Sequence, residues 1–264
     1  MELLYLKSFL LGVIQGFTEF LPISSTAHLI LGVNLLKIDF SDFIKSFIII
    51  IQLASILAVI ILYWKKLWQN FEYLKKIIIA FIPTAILGLV FYKIVKNFLQ
   101  ENLGIIALAL FLGGVAIVIL ERKYKERGGE ERDKVVDISN ISYKQCFIIG
   151  LFQSLAMIPG VSRSASTILG GLSLGIGRLA IVEFSFLLAI PTMIAASSWD
   201  LIQSGFSFNY NETIFLIIGF LVSFVTAWLS IKFLINFIKK NNFLIFAWYR
   251  IFLGVVIFLF LYVL

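Results

Sequence analysis

The chain has 264 residues, 61% of them hydrophobic, with a mean hydropathy of +1.02. Soluble domains run at about 45–50% apolar, so the composition excludes a soluble enzyme and implies an integral membrane protein. A net charge of +7 would suggest nucleic acid in a soluble protein; here it reads as membrane topology, and no nucleic-acid partner is expected.

The apolar runs are continuous rather than alternating in period two, so the fold class expected is all-α and polytopic, not a barrel. Residues 3–32 come first, apolar but broken by Pro22. This start does not read as a secretory signal: its one early lysine is Lys7, and Gln15 and Glu19 stand where a cleavage site would be. Spans are expected at 46–64, 77–92 and 103–120. The charged stretch 121–144, with Gly128-Gly129, reads as a solvated linker. A second broken apolar stretch, 145–175 with Pro159, precedes spans at 180–198, 213–233 and 243–264. Cys146 is the sole cysteine, so neither an intrachain disulfide nor a thiolate metal site is available.

Loop charge orients these spans. Segments 65–76, 121–144 and 232–240 carry 14 Lys/Arg, whereas 33–45, 93–102 and 199–212 carry 4. The first set is expected in the cytoplasm. Loop parity then makes 3–32 and 145–175 re-entrant helix–turn–helix elements, the first entering from outside and the second from the cytoplasm.

The two halves, 1–120 and 145–264, look alike. "GVIQGFTEFLPISST" (12–26) matches "GLFQSLAMIPGVSRS" (150–164), "YKIVKNFL" (92–99) resembles "IKFLINFI" (231–238), and "LFLGGVAIVIL" (110–120) resembles "IFLGVVIFLFL" (251–261). Each half is one re-entrant element plus three spans, an odd number, so the expectation is an inverted repeat, with Lys93 outside and Lys232 inside. Such repeats place their working site near the midplane, where broken helix ends meet.

Each break carries polar chemistry. Gln15 and Glu19 are four apart and share a helix face. After Pro22, Ser24 or Ser25 is a natural N-cap, and His28, the only histidine, lies one turn further on. Ionisable groups at membrane depth are functional by default. In "PGVSRSAST" (159–167) Ser162 can cap a new helix, with Arg163 at its N-terminus among Ser164, Ser166 and Thr167. Helix N-termini bind phosphates, and arginine adds a fork matched to phosphate oxygens. Arg178 and Arg250 read instead as arginines reaching to the interface, with Glu183 paired to Arg178. Gln52 could line a cavity or pack between helices.

These segments resemble the two signature motifs of the undecaprenyl-diphosphate phosphatases of the bacitracin-resistance type. "EFSFLLAIPTM" (183–193) resembles that family too, and the likeness runs over the whole chain. The resemblance implies hydrolysis of a C55 polyprenyl diphosphate to the monophosphate. That reaction recycles the lipid carrier for peptidoglycan synthesis and confers bacitracin resistance. It implies a divalent cation, Mg or Ca, bound with the diphosphate, and a bacterial inner-membrane protein whose site opens to the outer face. Carried over residue by residue, Glu19, Ser25, His28 and Arg163 are catalytic. Ser24, Ser162, Arg163, Ser164 and Thr167 bind the diphosphate, and Glu19 with Gln15, an amide variant, holds the metal. The nucleophile stays open among Ser25, His28 and a water activated by His28.

A different membrane phosphatase chemistry needs a histidine after the serine–arginine pair, and none follows Ser162-Arg163. The rival reading is a polyprenyl-phosphate flippase, since broken helices in inverted repeats are a transporter architecture. A homodimer is left open.

Overall fold

The computed structural model describes residues 2–94, 102–133, 137–204 and 208–262, and among them there is no strand. Broken helices open each half. In the first, α1 (Glu2–Thr18) and α2 (Ser25–Leu35) flank a break; α3 (Asp42–Gln69), α4 (Phe71–Ile94) and α5 (Leu103–Glu126) follow. After a single turn, α6 (Gly129–Arg132), the second half repeats the order. It runs α7 (Tyr143–Ser154), a 3-10 turn (Leu155–Met157), α8 (Arg163–Ser173), α9 (Arg178–Ser204), α10 (Tyr210–Ile238) and α11 (Leu244–Tyr262).

Six helices, α3, α4, α5, α9, α10 and α11, are long and apolar enough to cross a membrane, so the chain is a multi-pass membrane protein. All but α11 begin earlier or end later than hydropathy alone gives, because polar caps lie outside the apolar core. Ser41 caps α3 and Asn102 caps α5, while Asn209 and Glu212 form a capping box on α10. Pro83 and Pro191 sit inside α4 and α9 without ending them. Neighbouring helices and hydroxyl side chains re-satisfy backbone groups that proline frees at membrane depth.

The halves interlock. α1 packs on α10 and α7 on α4; α3 packs on α9 and α10, α9 also on α4, and α5 on α11. Small residues permit the close approach. A Cβ on Gly16 of α1 would lie 2.0 Å from Thr226 Oγ1 of α10. Buried serines fasten the same contact, Ser8 donating to the Phe215 carbonyl and Ser230 to that of Phe17 (2.8 Å). Outward faces such as Trp248, Phe252 and Phe260 of α11 stay exposed, as a lipid-facing surface requires.

Two expectations about charge are corrected. Glu183 does not pair with Arg178; it accepts from Lys66 at 2.8 Å. It lies five positions along the helix from Arg178, which turns it to another face, and Arg178 is held by Glu121 and Asp133. Arg250 does not reach the interface either. It is fully buried, over Gly113, where a Cβ would lie 2.2 Å from its Nη2.

The expected linker, 121–144, is partly folded in. Arg122, Lys123, Lys125, Glu126 and Arg127 are exposed, but Glu121, Tyr124 and Ile138 are buried. Asp137 accepts hydrogen bonds from Ser139 and from the Tyr73 hydroxyl (2.6 Å), which hold its carboxyl down at about 2. Residues 134–136, and 95–99 of the "YKIVKNFL" match, lie outside the described residues, as does the side chain of Lys93.

Candidate active site

The two breaks share one geometry. α1 ends at Thr18 and α2 begins at Ser25, capped by Ser24, whose Oγ accepts from the Ala27 amide. After Pro159 and Gly160, α8 begins at Arg163, capped by Ser162, whose Oγ accepts from the Ala165 amide. Both capping serines have positive φ, 74° at Ser24 and 76° at Ser162. A non-glycine residue is strained there by about 1–3 kcal/mol, and such strain persists where the surroundings over-determine it.

Two interactions do the determining. Ser164 Oγ donates to the Leu21 carbonyl at 2.9 Å, joining one break to the other. Arg250 reaches between them: Nη1 donates to the Pro22 carbonyl (3.2 Å), and Nη2 to the carbonyls of Gly160 (3.1 Å), Val161 (3.0 Å) and Ala109 (3.2 Å). A breached backbone leaves acceptors without intrahelical donors, and this one guanidinium satisfies those of both breaks.

The first residues of the two new helices therefore meet. Arg163 Nη2 donates to Glu19 Oε1 at 3.1 Å, and Ser25 Oγ donates to Glu19 Oε2 at 2.7 Å. Gln15 Nε2 donates to the same Oε2 at 2.9 Å, from one turn back on α1. Arg163 Nη1 is held by Ser185 through its carbonyl (2.9 Å) and hydroxyl (3.2 Å), and the guanidinium lies over the Phe20 ring. The Glu19 and Arg163 side chains are 5% and 11% exposed, so the pair is nearly dry and strongly coupled.

Glu19, Ser24, Ser25, Ser162 and Arg163 line a cavity of about 890 Å³. Two helix N-termini, each with free N–H groups and partial positive charge, thus face one space. The remaining wall is largely apolar: Phe81, Leu89 and Val90 of α4, Met157, and Ala195 and Ala196 of α9. Gln52 lines it too, which decides between its two readings.

Three expected site residues take other places. His28 does not line the cavity. Its Nδ1 bonds the Ser24 carbonyl (2.7 Å), so that nitrogen carries the proton, and Nε2 accepts from the Tyr249 hydroxyl (2.7 Å) on whose ring it stacks. The hydroxyl of Ser25 is engaged by Glu19, not by His28. Ser164 and Thr167 are fully buried behind the cavity wall. Ser164 ties the breaks together, and Thr167 Oγ1 sits 2.6 Å from Ser185 Oγ, bracing the residue that holds Arg163. They support the site from behind, Ser164 turned to the first break and Thr167 to Ser185 of α9.

For a hard cation the donor set is small. No cluster of three His, Cys, Asp or Glu exists among the described residues. Gln15 Oε1, however, is buried without a partner beside Glu19. One carboxylate, one neutral oxygen and the oxygens of a diphosphate are the kind of set Mg²⁺ takes, so the residues present fit such an ion.

Sequence reasoning missed Ser185, Tyr249 and the role of Arg250. Ser185 lies in "EFSFLLAIPTM", a hydroxyl in an otherwise apolar span, and that was a usable signal. Tyr249 carried none.

A sequence profile of the family described as bacitracin resistance protein BacA matches residues 8–256. Among its relatives, a protein of Aquifex aeolicus is 48% identical over 250 residues, 95% of this chain and 96% of that one. One from Persephonella marina is 46% identical, with 97% and 98% covered. A third, from Campylobacter jejuni strain 81-176, is 47% identical, with 98% and 94% covered. All three are named undecaprenyl-diphosphatase.

Proposed function

Because the chain belongs to the bacitracin resistance protein BacA family, we propose that it is an undecaprenyl-diphosphatase, hydrolysing the C55 diphosphate to undecaprenyl phosphate and inorganic phosphate. One observation carries the reading at the level of atoms: Ser25 and Arg163, the first residues of two broken helices, converge on the carboxylate of Glu19 at the polar end of a cavity with apolar walls. A lipid diphosphate matches both ends of that cavity. The relatives' names support the hydrolase and give the flippase alternative no support.

Ser25 Oγ is the attacking oxygen in this account. Its proton is already shared with Glu19, which takes it as the oxygen bonds to the terminal phosphorus. The bridging P–O bond breaks, and its electron pair leaves with undecaprenyl phosphate. Protonation of Glu19 loosens its hold on Arg163, freeing the guanidinium for the phosphoryl oxygens as charge builds there. The N–H groups at the starts of α2 and α8 face the same oxygens. A divalent cation, Mg or Ca, held by Glu19, Gln15 Oε1 and substrate oxygens, would neutralise the diphosphate's charge. His28 holds the first break through the Ser24 carbonyl and is a positioning residue here.

The halves are read as an inverted repeat, supported by the exchanged packing of α1 on α10 and α7 on α4. The opening is assigned to the outer face of a bacterial inner membrane. The cavity lies along the ends of α4 and α9 remote from the lysine-rich 65–76 segment, and positive charge marks the cytoplasmic side. The lipid tail would leave between these two helices.

The test is phosphate release from C55 diphosphate by purified protein in detergent. Glu19→Ala and Arg163→Ala are expected to lose nearly all turnover while still folding, and EDTA to abolish wild-type activity. Turnover untouched by both substitutions would overturn the reading.

A further inference from the structure

Away from Glu19, the cavity wall carries a second polar cluster that the chemistry above does not use. Gln153 of α7, Thr84 of α4 and Thr192 of α9 all line it, and Gln153 is 1% exposed. Proton counting fixes how these groups are arranged. Thr84 Oγ1 donates its only proton to the Gly150 carbonyl (3.0 Å), and Thr192 Oγ1 donates its own to that of Leu188 (2.8 Å). Both hydroxyls must then accept, so the amide atom facing them, 2.9 and 3.0 Å away, is the Nε2 donor. The carbonyl oxygen, Oε1, is left buried with no partner. Burying an unmatched acceptor costs about 1–3 kcal/mol, so a ligand is the natural account of it.

The chain holds an internal comparison. Gln15 occupies the matching place in the first half, and its Nε2 likewise meets a hydroxyl of a spanning helix, Ser55, which in turn meets Ser223 (2.9 Å). There the amide also serves Glu19, four residues on. In the second half the residue four on is Met157, which offers the amide nothing.

Oε1 can take a cation or a group with an O–H or N–H, and here no carboxylate stands four residues on, as Glu19 does beside Gln15, to share in holding a cation. Ionised phosphate oxygens are acceptors and are repelled, and a polyprenyl tail has no donor. Hydrolysis needs one small donor that an apolar cavity does not otherwise retain: water. Met193, next to Thr192 on α9, reaches Arg163 Nη2 at 3.9 Å, and the cluster and Arg163 line one cavity. We propose that Gln153 is a positioning residue that seats the hydrolytic water on its Oε1. A glutamine carbonyl orients attacking water in other phosphoryl-transfer enzymes.

The proposal rests on the Ser25 reading and completes it. Departing undecaprenyl phosphate removes the proton from Glu19. The seated water's oxygen bonds to the phosphorus of phosphoserine 25, and the P–Oγ bond breaks with its electron pair on Oγ. One water proton passes through Glu19 to Oγ, and the other stays on the released hydrogen phosphate.

The test follows phosphate release and acid-stable phosphoenzyme after rapid quench, with C55 diphosphate labelled on the terminal phosphorus. Gln153→Met keeps the bulk and removes the acceptor. It should lower kcat about 100-fold, lower KM with it so that kcat/KM stays within about twofold, because hydrolysis of the phosphoenzyme becomes rate-limiting, and make phosphoserine accumulate. Thr84→Val with Thr192→Val leaves Gln153 in place but releases its amide; a loss of about tenfold with the same accumulation is expected, and this variant decides if Gln153→Met does not fold. Unchanged turnover in both, or a fall in kcat with no accumulated phosphoenzyme while Ser25→Ala is inactive, overturns the proposal. If Ser25→Ala still turns over, the serine reading has failed instead. Gln153 is then judged on kcat alone: a fall at constant KM supports a seated water, and no fall refutes it.

Discussion

Ser25 and Arg163 hold the same position in the two halves: each is the first residue of a helix that begins after a serine at positive φ, and each bonds one oxygen of Glu19. A single carboxylate thus joins a hydroxyl and a guanidinium from opposite halves of the chain. The hydroxyl brings attack and the guanidinium brings charge stabilisation, and neither break alone contains both.

The buried pair predicts a specific stability pattern. Arg163→Met leaves Glu19 nearly dry and without its cation, at a cost of about 3–5 kcal/mol. Glu19→Gln combined with Arg163→Met removes both charges and should recover most of it. Thermal unfolding in one detergent for the two variants reads this directly; equal losses would show that the pair is not coupled.

Strain at the capping serines makes a second prediction. Ser162→Gly relieves the positive φ and loses a cap bond worth only a few tenths of a kcal/mol against glycine. Its melting temperature should equal or exceed that of wild type. Ser162→Ala keeps the strain and loses the cap, so it should melt lower by the equivalent of about 1 kcal/mol.

Arg250 predicts a loss that is not about substrate charge. Arg250→Met leaves carbonyls of both breaks without donors, and breaking such a network should cost about 3 kcal/mol or more. Turnover should fall with it. Arg250→Lys, one donor group in place of a fork, should fall between the two. Melting temperature and kcat measured together would separate this from a purely catalytic effect.

How legible was this in the sequence? The spans were, because long apolar runs have few alternatives, and the breaks were, because Pro22 and Pro159-Gly160 interrupt them. Ser162 was found as a cap by its place after the break, while the first cap was narrowed only to Ser24 or Ser25, and the structure makes it Ser24. Arg250 was misread because its burial depends on Gly113 of another helix, and a lone arginine near a helix end looks the same in either setting. His28 was close to Ser25 in sequence, yet its second partner, Tyr249, is 221 residues away. The Gln153 cluster draws on three helices, and no spacing along one of them announces it.

His28 offers a test of positioning against base catalysis. If its task is the bond from Nδ1 to the Ser24 carbonyl, His28→Asn can replace that donor and should retain about tenfold more turnover than His28→Ala, the worth of one such bond. Tyr249→Phe should be mild, within about threefold. Equal inactivity of the Asn and Ala variants would restore His28 as the base.

The claim that Ser25 attacks with Glu19 as proton acceptor is tested most directly by one rate: phosphate release from C55 diphosphate by Ser25→Ala, beside wild type at equal folded concentration. A fall of about 10³-fold or more is expected. Turnover within a few-fold of wild type would contradict it, and would move the attack from the serine to water.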